Sequence, residues 1–369
     1  MYRRVAGVGL ALTMLVAGCG HSSSTSQGPA TSSTPVPSVA TSSTRAASAT
    51  SQAARDLPDP HTLRGLTEVP ELPDPKPVEG SSAQKLPVTV TDVEGNKVTI
   101  KSTSRILALD LYGTLSRTLI GLGLGDKIVG RTVSSTEKQL HDRPVVTENG
   151  HVLNVEAVAG LKPSVIIADR SVGPKEALDQ LRKSGIPVVL VDPHRSVGST
   201  PQLIRTIADA VGKPDAGEAL VKRTQEQIDQ AKKQIAAWKP AKPMRVAFLY
   251  VRGNAGVFFI LGSENGASEL IQGVGADDVA SDKGITTLVP ANAESLVSIN
   301  PDAIFVMRDG LASTGGMKGL LARAGVANTT AGRKQRVISI PDGISLSFGP
   351  QTGEVLTACL LYTSDAADE

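Results

Sequence analysis

The sequence predicts an α/β protein of two lobes with mainly parallel sheets, joined by one long rigid helix, with a ligand cleft between the lobes. Three observations carry this. First, the phrase Asn154-Val-Glu156-Ala-Val-Ala-Gly-Leu161-Lys-Pro163-Ser-Val-Ile166 returns as Asn292-Ala-Glu294-Ser-Leu-Val-Ser-Ile299-Asn-Pro301-Asp-Ala-Ile304, an offset of 138 residues (154 to 292). Asn, Glu, Pro and the last Ile coincide, and the apolar positions match in kind. Each copy reads as a short helix, a proline break and an apolar strand, and a period of about one domain signals a duplicated unit. Chance likeness of two helix-Pro-strand turns is the alternative. Second, strand and helix patterns alternate in both halves, which argues for parallel pairing. Third, Asp215–Trp238 carries apolar residues at helical spacing in a highly charged surround. Two lobes imply a cleft, and clefts between lobes are where small ligands sit.

The elements follow in order. Arg3 and Arg4 precede an apolar run, Val5–Val16, and small residues: a signal peptide over 1–18, too short to span a bilayer. Val16-Ala-Gly-Cys19 reads as a bacterial lipobox, which makes Cys19 the acylated (palmitate-bearing) first residue of the mature chain. An ordinary secretory signal with an incidental Cys is the alternative; the polar Gly-His-Ser-Ser-Ser tract after Cys19 favours the lipoprotein. Acyl chains alone would then hold the protein on the outer face of the plasma membrane. Residues 19–86 are rich in Ser, Thr, Pro and Ala and read as a disordered tether reaching about 40–50 Å.

The N-terminal lobe is expected over 87–214. Val88–Asp92 and Lys97–Ile100 alternate around Glu94-Gly-Asn96 as a hairpin. Strands follow at Arg105–Leu109, Ile128–Gly130, Ser164–Ala168 and Val188–Val191, and helices at Gly113–Ile120, Pro174–Ser184 and 199–212. Gly121-Leu-Gly-Leu-Gly125 follows a helix rather than opening one, so it reads as a helix stop and not a dinucleotide loop. The connecting helix spans 215–240, roughly 36 Å, and Lys239-Pro-Ala-Lys-Pro243 ends it. The C-terminal lobe, 241–358, carries strands at Met244–Leu249, Gly256–Ile260, Asp302–Met307 and Arg336–Ile340, with helices at Ala267–Gly273 and after Gly349. Residues 359–369, Cys359-Leu-Leu-Tyr-Thr-Ser-Asp-Ala-Ala-Asp-Glu369, read as a translated sequencing-adapter artefact, with a genuine unusual tail as the alternative; they are set aside.

Composition excludes several functions. Lys and Arg number 38 against 36 Asp and Glu, so no single-sign field invites nucleic acid. There is no Gly-x-Ser-x-Gly, no P-loop and no zinc-protease motif, so no enzyme is expected. Five His, two of them in the tether, make a poor receptor for a free metal ion. Two residues stand out. His151 directly precedes the first phrase, while its counterpart 138 residues on is Val289, so the duplication does not require it. Tyr250 ends a strand, where ligands bind in open α/β sheets; Tyr112 is the other tyrosine between the signal and the doubtful tail.

From about Leu86 to Ala358 the chain resembles the periplasmic-type substrate-binding proteins of ABC importers, which join two Rossmann-like lobes by one rigid helix and include cobalamin, siderophore and haem binders. Arg131-Thr-Val-Ser-Ser, Val145-Val-Thr-Glu-Asn-Gly-His151 and Ala247-Phe-Leu-Tyr250-Val-Arg252-Gly253 are similar to the haem-binding lipoproteins of corynebacteria and their relatives. The resemblance implies haem b, Fe(III) protoporphyrin IX, held by His151 from one lobe and Tyr250 from the other, with Arg252 supporting the tyrosine. Phenolate is a hard anionic donor suited to Fe(III), a nearby cation favours it, and neutral imidazole supplies the opposite bond.

Arg131, Asn149 and Arg308 are candidates for the haem propionates or the cleft rim, and Met307 and Phe348 for packing on the porphyrin; each also reads as an ordinary solvated or core residue. His151 as a loop cap, Tyr250 as a core residue and Arg252 in a surface ion pair are the corresponding alternatives. The resemblance further implies that Glu156 and Glu294 dock onto a dimeric permease with its ATPase. Both acids also suit a helix N-terminus, and Asn154 and Asn292 suit its cap. The whole reads as a monomeric haem receptor of an actinobacterial envelope, without nucleic-acid partners, with a ferric siderophore or corrinoid binder as the alternative.

Overall fold

In the computed structural model, residues 58–79, 84–238, 240–253 and 256–364 are described. The expected signal peptide and Cys19 lie outside them. The first sheet sets four parallel strands side by side in the order Ile128–Gly130, Ile106–Leu109, Val165–Ala168, Val188–Leu190. The last three are buried throughout, as expected of parallel strands covered on both faces. Alternation sorts their side chains. Ile106, Ala108 and Ile167 enter one core with Leu115, Leu119 and Ile207, while Leu107, Leu109 and Ile166 enter another with Leu178 and Leu181.

The second sheet runs Leu66–Glu68, Val337–Ile340, Ala303–Met307, Arg245–Arg252, then Val257–Ile260 and Val289–Pro290; Asp277–Asp278 pairs with the start of Arg245–Arg252. The last two pairings along the path are antiparallel and the others parallel. Val246 and Phe248 face one core, Ala247 and Leu249 the other. Phe248 meets Phe305 edge to face, centroids 6.5 Å apart.

The repeated phrase folds twice into the same unit. Helix Val155–Gly160 is capped by Asn154, which accepts from the Ala157 amide, and helix Ala293–Ile299 by Asn292, which accepts from the Ser295 amide, both at 2.9 Å. Each leads into a strand, Val165–Ala168 or Ala303–Met307. Helix Pro214–Trp238 connects the halves. Its Ala216 and Leu220 are buried in the first core and its Ala231 and Ile235 in the second, so one rigid element is embedded in both. The C-terminal helix, Thr352–Ser364, packs along it so closely that a Cβ on Gly353 would stand 2.4 Å from the Gln227 carbonyl carbon. Cys359 and Leu360, set aside in the sequence, are fully buried in the second core, and burial pushes the Cys359 thiol up to about 12.

One expectation is overturned. Residues 58–79, assigned to the disordered tether, form an ordered strap. Leu66–Glu68 joins the second sheet beside Val337–Ile340, and Val69 is fully buried. The strap then reaches the first lobe. Asp74 accepts from the amides of Lys138 (2.8 Å) and Gln139 (2.9 Å), and the Val78 amide donates to the Gly121 carbonyl. The prolines that suggested disorder fix an extended backbone at reduced entropic cost, and long-range partners do the rest.

Candidate functional site

The carboxyl ends of strands from both sheets converge on one cavity of ≈ 370 Å³, within the range of small-ligand sites. From the first lobe come Leu111 and Tyr112, just after strand Ile106–Leu109, then Val133, Ser134 and Thr136 after Ile128–Gly130, and the loop Asn149-Gly150-His151. From the second come Tyr250 and Arg252 at the end of their strand, Met307 and Asp309 at the end of the next, and Asp342 and Leu346 beyond the third, with Leu261, Asn265 and Leu288. Leu111, Val133 and Leu288 are 39–44% exposed, three of the six large apolar side chains left exposed among the described residues. Apolar surface left facing a cleft marks a ligand wall; alternation patterns in the sequence do not single these residues out.

His151 closes a three-residue hairpin loop between Thr147–Glu148 and Val152–Leu153. Asn149 and Gly150 both take left-handed backbone, φ 49° and 89°, which Asn and Gly tolerate at little cost. The loop is tied down by the Gly173 amide donating to the His151 carbonyl at 2.9 Å and by Asn154 Nδ2 donating to Glu148 at 2.9 Å. The imidazole itself is exposed to the cavity, and it also borders a smaller hollow of ≈ 260 Å³ lined by Glu94, Arg170 and Lys175.

Across the cavity, the Arg252 guanidinium carbon lies 5.1 Å from the centre of the Tyr250 ring. Arg252 Nη2 donates to Asp342 Oδ1 and, at 3.3 Å, to Met307 Sδ. Asp342 Oδ2 in turn accepts from the Asp309 amide at 2.8 Å. Burial raises the Asp342 carboxyl above its ordinary range despite the neighbouring guanidinium. A second stacked pair stands in the first lobe, where Arg195 lies 5.5 Å from the Tyr112 ring centre. Arg195 is buried in ion pairs with Asp169 and, at 3.7 Å, Asp110. Burial pushes Asp110 up to about 7, with the Asp169 charge adding to it, and raises Asp169 and Tyr112 as well. Sequence reasoning missed Asp110, Asp169 and Arg195; both acids stand directly after strands, which was the available signal.

Thus His151, Tyr250, Arg252, Asn149 and Met307 gather at one cavity, and three other candidates do not. Arg131 turns to the Ser135 carbonyl (3.4 Å). Arg308 pairs with Glu71 (3.0 Å) and donates to the Val69 carbonyl, both on the strap. Phe348 is 5% exposed in the second core. Glu156 and Glu294 are exposed in the first turns of the paired helices and form no ion pair among the described residues. Below the cavity, Arg117 joins the lobes. Its guanidinium donates to Gly343 O (3.1 Å) and Gln351 Oε1 (2.7 Å), and it sits 3.5 Å from Glu137.

A family profile described as periplasmic binding protein matches residues 111–343. Among solved structures, a heme-binding protein, HmuT, is 49% identical and covers 83% of this chain and 99% of its own, with TM-score 0.81. HmuT has also been solved with single residues replaced by Ala: a His, a Tyr 99 residues later and an Arg two after the Tyr. His151, Tyr250 and Arg252 stand in that order at those separations. Among curated proteins, an uncharacterized ABC transporter substrate-binding lipoprotein, YvrC of Bacillus subtilis (strain 168), is 27% identical over 72% of this chain and 82% of its own. A cobalamin-binding protein of Halobacterium salinarum (strain ATCC 29341 / DSM 671 / R1) is 25% identical over 73% of this chain and 72% of its own.

Proposed function

Because the chain belongs to the periplasmic binding protein family, whose members matched here are substrate-binding transport proteins and not enzymes, we propose that it binds ferric haem between its lobes for an ABC importer. The observation that carries this is the pairing of an imidazole and a phenol on opposite walls of one apolar cavity, with a guanidinium over the phenol. The match in residue type and spacing to the three positions replaced in HmuT supports it. His151 and Tyr250 supply the axial bonds, Arg252 favours the phenolate, and Leu111, Val133, Leu288 and Met307 pack on the porphyrin faces. With Arg308 held by the strap and Arg131 outside the cavity lining, the propionates meet neutral donors, Ser134, Thr136, Asn149 and Asn265.

In this reading the mature chain is anchored by acylated Cys19, residues upstream of the strap serve as the leash, and Glu156 and Glu294 dock the two lobes onto two permease subunits. The exposed, equivalent placement of those acids supports the last point.

The test is a hemin titration of the mature protein. A Soret band and a phenolate-to-iron charge-transfer band are expected, and His151→Ala and Tyr250→Ala each remove the six-coordinate spectrum. Unchanged spectra in both variants would sink the axial pair. The corrinoid reading, favoured by the cobalamin-binding relative, is tested beside it: tight binding of cyanocobalamin with no uptake of hemin replaces the cargo.

A further inference from the structure

Resting on the haem reading, we infer that Asp342 is a positioning residue that holds Arg252 over Tyr250 and thereby sets how strongly the phenolate donates to iron. Arg252 has an outer and an inner side. Its Nη2 is occupied by Asp342 and Met307, and its Nη1 is buried without a partner among the described residues. Space for Nη1 exists because residue 310 is glycine: a Cβ there would stand 2.5 Å from it. The carboxylate that grips Nη2 is itself fixed, since its second oxygen takes the Asp309 amide. The guanidinium therefore cannot slide along the ring without breaking an ion pair, and its place 5.1 Å from the ring centre is imposed from behind.

The charged groups around this arrangement are few. Asp309 stands in the first turn of the neighbouring helix, Arg308–Ser313, and His151 lines the same cavity. Arg308 starts the same helix as Asp309 but is drawn away to Glu71. A cation beside a phenolate lowers the energy of its lone pairs, so the phenolate gives less charge to Fe(III) and the charge-transfer band lies at shorter wavelength. Freeing Arg252 removes that restraint. Partners standing behind a metal ligand commonly change affinity 10–100-fold when removed.

The experiment compares Arg252→Ala, Asp342→Ala, the double variant and Asp342→Asn, all loaded with hemin. Arg252→Ala and Asp342→Ala are expected to move the charge-transfer band to longer wavelength by the same amount. Both should change hemin dissociation by about tenfold, and the double variant should go no further. Asp342→Asn keeps an oxygen for Nη2 and should keep most of the wild-type band. Asp342→Ser, which leaves a hydroxyl for the Asp309 amide, replaces the alanine variant if that fails to fold. A wild-type band in Asp342→Ala or Asp342→Ser, while Arg252→Ala shifts, overturns the assignment, as do additive shifts in the double variant. Failure of the wild type to take up hemin instead overturns the haem reading.

Discussion

Replacing Arg117 by Ala tests whether the floor of the cleft is held by a buried ion pair shared between lobes. Arg117 is 3% exposed and Glu137 2%, so neither charge has water to fall back on. Truncation removes the donors to Gly343 and Gln351 in the second lobe and leaves Glu137 with the Ser116 hydroxyl, at 2.8 Å, and its own backbone amide, but no cation. Breaking a buried pair from one side costs about 3–5 kcal/mol, most of it the uncompensated charge. At about 2–4 °C per kcal/mol, the melting temperature should fall by at least roughly 6 °C. Adding Glu137→Gln to Arg117→Ala removes the stranded carboxylate and should recover part of the loss. Urea unfolding of the three variants beside wild type measures this. A loss below about 1 kcal/mol in Arg117→Ala, or no recovery in the double variant, refutes the reasoning.

Asp110 offers a pH-dependent test. Its folded pKa, about 7, lies above the ordinary 3.8, so it stabilises the fold fully below about pH 4, and that contribution is lost as pH rises through about 7. Asp110→Asn should therefore gain on the wild type between pH 5 and pH 8 in urea midpoints; a gap that does not grow with pH speaks against it. Ile228→Ala, in the middle of the connecting helix at 0% exposure, should cost about 2–5 kcal/mol, measured by the same denaturation, and a cost under 1 kcal/mol would mean the helix is not embedded as described.

The fold was legible wherever local pattern and tertiary burial agree. The two phrases folded alike because each carries its own Asn cap, apolar face and proline stop, all local signals. That Tyr250 and His151 come to one cavity was legible from the family resemblance, with a strand end and the segment before the first phrase as added signals; their role as ligands belongs to the proposal. Arg131 and Arg308 were not. A basic residue near a strand end looks the same in sequence whether it faces a cavity or turns to Ser135 or Glu71, and Glu71 lies 237 residues away from Arg308. The strap was hidden for the same reason: its composition is that of a linker, and only pairing with residues far along the chain, such as Val337–Ile340, orders it. Asp342 was missed because it follows its strand in sequence like many solvated acids, and only the fold brings Arg252 to it.

The strap and the connecting helix carry the chain between the halves twice. A gate hung from one pin can swing, tilt and twist; hung from two, it keeps a single arc. In the proposed function, one iron bonded from both panels requires them to stand at a fixed spacing. A frame pinned at two places restricts how far that spacing can vary.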